Sequence, residues 1–214
     1  MDQQLLKGRG VVRMSSAFAV GSQGLNRFVG VGGGLGRLPA VTAPDLPVFA
    51  LDLHVVADHG QIYIYSEAAL DQENDDLYED AFDDATDNER FVGTGGGLVV
   101  LVTPGTRNAR TPMCVQVWAA EPTADTERWS HEVDIDLDVP DGRLVFCASG
   151  FAEEIPVEIP AGSYRARVSG AGYLERGDAG ADGDDYYRLQ FWPRLTDADP
   201  VLRKYWPGWA GYND

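Results

Sequence analysis

The sequence is poor in lysine, histidine and cysteine, and it lacks any long apolar run. Only Lys7 and Lys204 stand beside fifteen arginines, the bias of a GC-rich or salt-adapted proteome. The three histidines, His54, His59 and His131, do not repeat at strand or helix spacing, which argues against a histidine-built metal site. Two cysteines, Cys114 and Cys147, are too few for a disulfide scaffold or a cysteine zinc site. Each lies in an apolar, strand-like segment and reads as a buried thiol, as expected in the cytoplasm. The longest apolar runs, such as Leu98 to Val102, are strand-sized, far short of the roughly 20 residues that span a bilayer. Gly8, Gly10 and Gly21 interrupt the basic N-terminus, so no secretory leader is expected. The chain reads as a soluble cytoplasmic protein.

Catalytic signatures are also missing. No GxSxG nucleophile elbow and no GK[ST] phosphate loop occurs. Gly30-Val31-Gly32 and Gly93-Thr94-Gly95 each open a GxG, but a dinucleotide fingerprint needs a helix behind it. The second run leads into a strand, so it reads as a flexible turn before that strand. Asp71, Glu73 and Asp75 match the first ligand positions of an EF-hand. Asp76 then stands where glycine is required, and Phe82 where a bidentate Glu is required. The loop Asp178 to Asp184 fails in the same way at Gly180 and Leu189, and reads as a solvated hairpin loop. No cofactor and no metal are expected, and the chain is not read as an enzyme.

What is present in excess is negative charge. Thirty-four acidic residues outnumber seventeen basic ones, for a net charge of -17. Residues 1–37 run the other way, with Lys7, Arg9, Arg13, Arg27 and Arg37 against Asp2 alone. The acids concentrate in Glu67 to Glu89, which holds eleven of them and no cation. Such a surface repels nucleic acid and anionic lipid and attracts basic proteins.

The chain divides by texture. Residues 1–45 are rich in Gly, Ser and Arg and read as a flexible arm. Residues 46–193 alternate like strands. Val48 to Val56 and Gln61 to Ser66 flank the turn Asp58-His59-Gly60 and predict a hairpin. Leu98 to Thr103, Met113 to Ala120, Arg143 to Ser149, Ser163 to Gly170 and Asp185 to Pro193 read as further strands. Glu154 to Ile159 contains Pro156, which marks an edge. In His131 to Val139, Val133, Ile135 and Leu137 alternate with Asp134, Asp136 and Asp138, which places a regular acidic row on the exposed face. Leu77, Ala81 and Ala85 fall at i, i+4 and i+8 and predict a short acidic helix over Asn74 to Ala85. The expected fold is mostly β: an antiparallel sandwich or barrel of about nine strands with one short acidic helix. Residues 194–214 form an aromatic tail with Tyr205, Trp206, Trp209 and Tyr212, expected to pack across the domain. One internal echo stands out. Arg27 to Leu35 and Arg90 to Leu98 agree at eight of nine positions, without agreement in their flanks.

Four segments also carry a resemblance: Gly60-Gln61-Ile62-Tyr63-Ile64-Tyr65, Leu98 to Val102, Ile159-Pro160-Ala161-Gly162-Ser163-Tyr164-Arg165, and Tyr186 to Trp192. In order and spacing, residues 48–193 resemble the competence protein J family, small acidic bacterial proteins that inhibit a DNA-entry nuclease. The arm, the acidic insert and the aromatic tail lie outside it. The resemblance implies a non-catalytic binding protein of the inhibitor or immunity type, whose basic partner is a nuclease or toxin. The docking residues expected from the acidic segment are Asp75, Asp76, Glu79, Asp80, Asp83 and Asp84, with Tyr78 and Phe82 as apolar anchors. Two other readings stand beside it. One is an assembly protein that forms homo-oligomers through its arm and tail. The other is a carbohydrate- or small-ligand-binding module using Tyr63, Tyr65, Trp118 or Trp192.

Overall fold

The computed structural model describes residues 46–105, 107–149, 154–173 and 184–208. The arm 1–45, the loop 178–183 and the last six residues of the tail lie outside them. Among the described residues, eleven strands and one α-helix account for the regular structure, with a 3-10 turn at Thr126–Arg128. The strands are β1 (Phe49–Asp58), β2 (Gln61–Tyr65), β3 (Val92–Gly95), β4 (Leu98–Val102), β5 (Arg107–Val117) and β6 (His131–Val139). They continue as β7 (Arg143–Ala148), β8 (Ile155–Glu158), β9 (Gly162–Ala171), β10 (Tyr186–Pro193) and β11 (Val201–Lys204). The helix, α1, is Leu77–Asp87.

All eleven belong to one sheet in the order β11-β6-β9-β10-β5-β1-β2-β4-β3, with β7 branching from β2 and β8 from β7. The fork lies at the β1–β2 hairpin. The two strands register only at Asp58 and Gln61, after which β1 follows β5 and β2 runs between β4 and β7. The expectation of an antiparallel sandwich or barrel is corrected on this point. The fold is a single branched sheet, curled on itself at the hairpin, and it is mixed, because β10 pairs with β5 in parallel. The long stretch from Val117 to Tyr186 allows that parallel return. The expected edge at Pro156 holds, since β8 pairs only with β7.

Two apolar clusters explain which runs are apolar. Val55, Ile62, Ile64, Val99, Leu101, Val115, Ile135, Leu144, Phe146, Val168 and Phe191 meet in the main core inside the curl. Tyr65, Leu98, Val100, Val102, Val145 and Cys147 point out through the other face of β2, β4 and β7, where Leu77, Ala81 and Ala85 of α1 cover them. Strand β4 is therefore buried on both faces, and its sequence is continuously apolar rather than alternating. Each large side chain so buried contributes about 1.5–3 kcal/mol. Both cysteines are free thiols, Cys147 buried and Cys114 half-buried. Burial pushes the Cys147 thiol up from its ordinary value, and it pushes Cys114 up to about 11.

The glycine run serves packing. Helix α1 lies so low on β3 that a side chain at Gly93 would overlap the Ala81 carbonyl and the Ala85 backbone. One at Gly95 would sit 3.1 Å from the Ala81 nitrogen. Gly96 and Gly97, with φ of +48° and +85°, then turn β3 into β4. Two consecutive left-handed residues make the two-residue hairpin that suits strand twist. The flexible turn expected before β4 is thus itself a strand, β3, with its turn.

Candidate protein-docking surface

The acids and arginines are partitioned between two faces. On the outer face of β6 and β9, Asp134 is in register with Arg167, and Asp136 with Arg165. Arg167 donates through Nε to Asp134 Oδ1 at 2.8 Å, and through Nη2 to Oδ2 at 3.1 Å and to Glu121 at 3.0 Å. Arg203 of β11 adds a second cation to Asp134 at 2.7 Å. Arg165 bonds Asp136 at 2.8 Å, and Arg194 reaches Asp136 and Asp138 at 3.3 and 2.9 Å. Thr126 and Ser169 donate to the two oxygens of buried Glu132. Arg188 grips Asp125 and lies 4.5 Å over the Trp129 ring, and that grip holds the Asp125 carboxyl below the usual range. The row expected to be exposed on this strand is therefore largely covered. Glu132 and Asp134 are buried, Asp136 is half-buried, and each aspartate from Asp134 to Asp138 has an arginine.

The helix face carries the opposite arrangement. Within Glu67 to Glu89, Glu67 meets Arg143 at 3.6 Å and Asp84 meets Arg90 at 2.5 Å. Among the described residues, Asp71, Glu73, Asp75, Asp76, Glu79, Asp80, Asp83, Asp87 and Glu89 make no ion pair, and all nine are exposed. Glu79, Asp83 and Asp87 repeat at i+4 along α1, and its last turn holds no cation. Acids suit the first turn of a helix and oppose its C-terminus. Like charges at i,i+4 each cost about 0.2–0.5 kcal/mol. The helix therefore stands on its apolar contacts with β3 and β4, against its own surface charge.

The eight expected docking residues fall into three groups. Asp75, Asp76, Glu79, Asp80 and Asp83 face solvent. Asp84 faces the sheet, where it accepts from Arg90 and from the Thr94 amide at 2.8 Å. Tyr78 and Phe82 are half-buried and pack onto the second cluster, Tyr78 with its ring centroid 5.0 Å from that of Tyr63. The loop before α1 is held by its own turns: Asp71 accepts the Glu73 amide, Asn74 accepts the Asp76 amide, and the Asn74 side chain donates to Asp80. These turns take Asn74 to Asp76 out of the expected helix, which begins at Leu77.

A node that no sequence motif marks lies at the other end of α1. His131, 2% exposed, hydrogen-bonds the Arg90 carbonyl through Nε2 at 2.6 Å and accepts the Trp206 amide at Nδ1 at 3.3 Å. Phe91 and Tyr205 flank its ring, and Trp206 packs on Tyr173. Burial pulls its pKa down to about 4, so it is neutral. The signal was its parity with Val133 and Ile135, which places it on the inward face.

The aromatic residues of the ligand-binding reading do not converge. Tyr63 and Tyr65 belong to the cluster under α1, whereas buried Trp192 lies 5.3 Å beneath the Arg167 guanidinium and Trp118 donates to Gln116. A groove of about 330 Å³ runs from Gly95 to Gly97 past Asp136, Asp138 and Arg194, and these charged groups are engaged with one another. Among the described residues, no group of three or more His, Cys, Asp or Glu is arranged to hold a metal, and no helix is long and apolar enough to cross a membrane.

No family model and no curated protein matches the chain. Two solved structures are similar to it. One is ComJ, inhibitor of the DNA degrading activity of NucA, from Bacillus subtilis, at 14% identity and a TM-score of 0.45, covering 69% of this chain and 97% of that one. The other is crocagin biosynthetic gene J, at 15% identity and a TM-score of 0.40, covering 69% of this chain and 99% of that one.

Proposed function

We propose that the protein is a non-catalytic binding module that neutralises a basic protein partner, such as a nuclease or toxin, through α1 and the loop before it. The observation that supports this is the partition of charge. Arginines compensate the acids on the β6–β9 face, whereas nine exposed acids on and around α1 have no cation among the described residues. A general compositional bias toward acid would not separate the two faces in this way. The helix keeps a charge pattern that weakens it, which is the signature of a surface shaped by something other than stability.

Charge complementarity steers encounter and makes binding fall steeply with salt. Asp75, Asp76, Glu79, Asp80 and Asp83 form the docking charge. Asp84, Tyr78 and Phe82 hold the helix in place beneath it. The sequence resemblance to the competence protein J family makes a nuclease the first partner class to test. The purified protein is titrated into a basic nuclease encoded by the same genome, with complex formation and residual cleavage followed at about 50 and 500 mM salt. A low-salt complex that suppresses cleavage and dissociates at high salt is expected. Absence of a complex at low salt rejects the reading.

A further inference from the structure

Residues 118–130 join β5 to β6, which lie on either side of β9 and β10 in the sheet. The connection is tied at both ends, by the Trp118 amide on the Phe191 carbonyl and the Ser130 amide on the Gly170 carbonyl. Between these ends, no backbone-to-backbone bond among the described residues holds it to the sheet. Side chains do so instead. Glu121 accepts from Arg167 of β9 at 3.0 Å, and Asp125 accepts from Arg188 of β10 at 2.8 and 2.5 Å. Thr126 donates to Glu132 of β6, and its carbonyl accepts from Lys204 of β11. Within residues 118–130 only Pro122 is buried. The segment is a strap, fastened by charge and by the Trp129 ring under Arg188.

The strap serves the two arginines incompletely. Asp125 takes both terminal nitrogens of Arg188 and leaves Nε. Glu121 and Asp134 take Nη2 and Nε of Arg167 and leave Nη1. Both leftover donors are buried, and so is Oε1 of Gln190, which faces Arg167 across the β9–β10 pair. None of the three has a partner among the described residues, and Arg167 and Gln190 are each 2% exposed. Buried polar groups are normally paired, and an unpaired one costs stability. The charge balance points the same way. Beneath the strap, Arg167, Arg188, Arg203 and Lys204 stand against Glu132 and Asp134, an excess of two cations that Glu121 and Asp125 neutralise.

We propose that the strap is an internal stand-in for an acidic polypeptide, and that on lifting it lets Arg167 and Arg188 take two carboxylates of a partner chain, spaced as Glu121 and Asp125 are. A polypeptide answers all three leftover groups, because it carries carboxylates for the arginines and N–H donors for Gln190. A nucleic-acid backbone offers acceptors but no donor, and the buried acids of β6 repel its phosphates. This surface uses no residue of α1 and is independent of the docking proposed there.

The probe is a fluorescein-labelled synthetic peptide of residues 119–130, titrated with the full chain at about 50 mM salt and read by anisotropy. In the parent the strap occupies the site, and weak binding is expected. Glu121→Gln with Asp125→Asn should bind the peptide at least about tenfold more tightly, because the competing closed state is lost. Hydrogen exchange at residues 119–129 should rise in the same variant. Adding Arg188→Gln to that chain, or replacing the two acids of the peptide by Gln and Asn, should return binding to the parent's level. Asp125→Asn alone keeps Glu121 on Arg167 and serves if the double variant does not fold; the same order with a smaller gain is expected. Parent-level binding by a variant whose urea midpoint shows it folded overturns the proposal, and so does unchanged exchange. A short DNA duplex that displaces the peptide overturns the assignment to a polypeptide.

Discussion

Gly93 passes so close beneath Ala81 that a methyl group on it would overlap the Ala81 carbonyl oxygen. This contact sets the height of α1 above the sheet, and with it the position of the acidic surface. Gly93→Ala must push the helix away or bend β3. A loss of about 3 kcal/mol is expected, at the upper end of what overpacking costs, read as a lower urea midpoint. Thr94→Val beside it should leave the midpoint nearly unchanged. A neutral Gly93→Ala would mean that the helix rides free of the strand.

Buried Asp134 has two arginines, and their environments differ. The Arg167 side chain is 3% exposed and that of Arg203 is 44% exposed. Removing one partner of a buried pair leaves a stranded charge and costs about 3–5 kcal/mol. Arg167→Met should lose that much by chemical denaturation. Arg203→Ala should lose less than about 1 kcal/mol, as exposed pairs do. Equal losses would show that the two arginines share the neutralisation of Asp134.

His131 predicts an acid limb in stability. Its folded pKa is about 4, against an ordinary value of 6.5. The unfolded chain therefore takes up a proton first as pH falls. Stability is full above pH 6.5, declines between 6.5 and 4, and loses about 3 kcal/mol from this group by the lower limit. His131→Gln should flatten that limb in urea titrations at stepped pH. Trp206 and Tyr205 should loosen on the same titration, visible as a change in tryptophan fluorescence. An unchanged slope in the variant would remove His131 as the cause.

The acids on α1 should trade stability against binding. Glu79→Gln, Asp83→Asn and Asp87→Asn together relieve the i,i+4 repulsion, and a gain of about 0.5 kcal/mol in stability is expected. Affinity for the basic partner should fall at least tenfold at low salt, equivalent to about 1.4 kcal/mol, and its salt dependence should shrink. Asp138→Asn, on the compensated face, should leave binding intact. A triple variant that binds as tightly as the parent would place the docking surface elsewhere.

The period-two and period-four patterns were enough to locate most of the fold. Val133, Ile135 and Leu137 marked the inner face of β6, Leu77, Ala81 and Ala85 marked the buried stripe of α1, and Pro156 marked an edge. Alternation depends only on the neighbouring residues of one strand, so it survives without tertiary context. The short strands β3 and β11 were not legible, because four residues rich in glycine or charge carry no period. Nor was the parallel β5–β10 pair, which joins residues far apart in the chain.

The candidate site divides along the same line. The chain's composition already shows that Glu67 to Glu89 is acidic and that residues 1–37 are basic. It does not show which acids remain uncompensated. Periodicity assigned Asp134, Asp136 and Asp138 to an outer face, but only the register of β6 with β9, and the return of β11, brought Arg167, Arg165 and Arg203 onto them. Charge pairing is a matter of distance in space, and the partners lie tens of residues away in sequence. Sequence therefore determined how much negative charge the protein carries and where along the chain it clusters. The tertiary structure decided that the charge of the sheet is internal to the fold and that the charge of α1 is left to the outside.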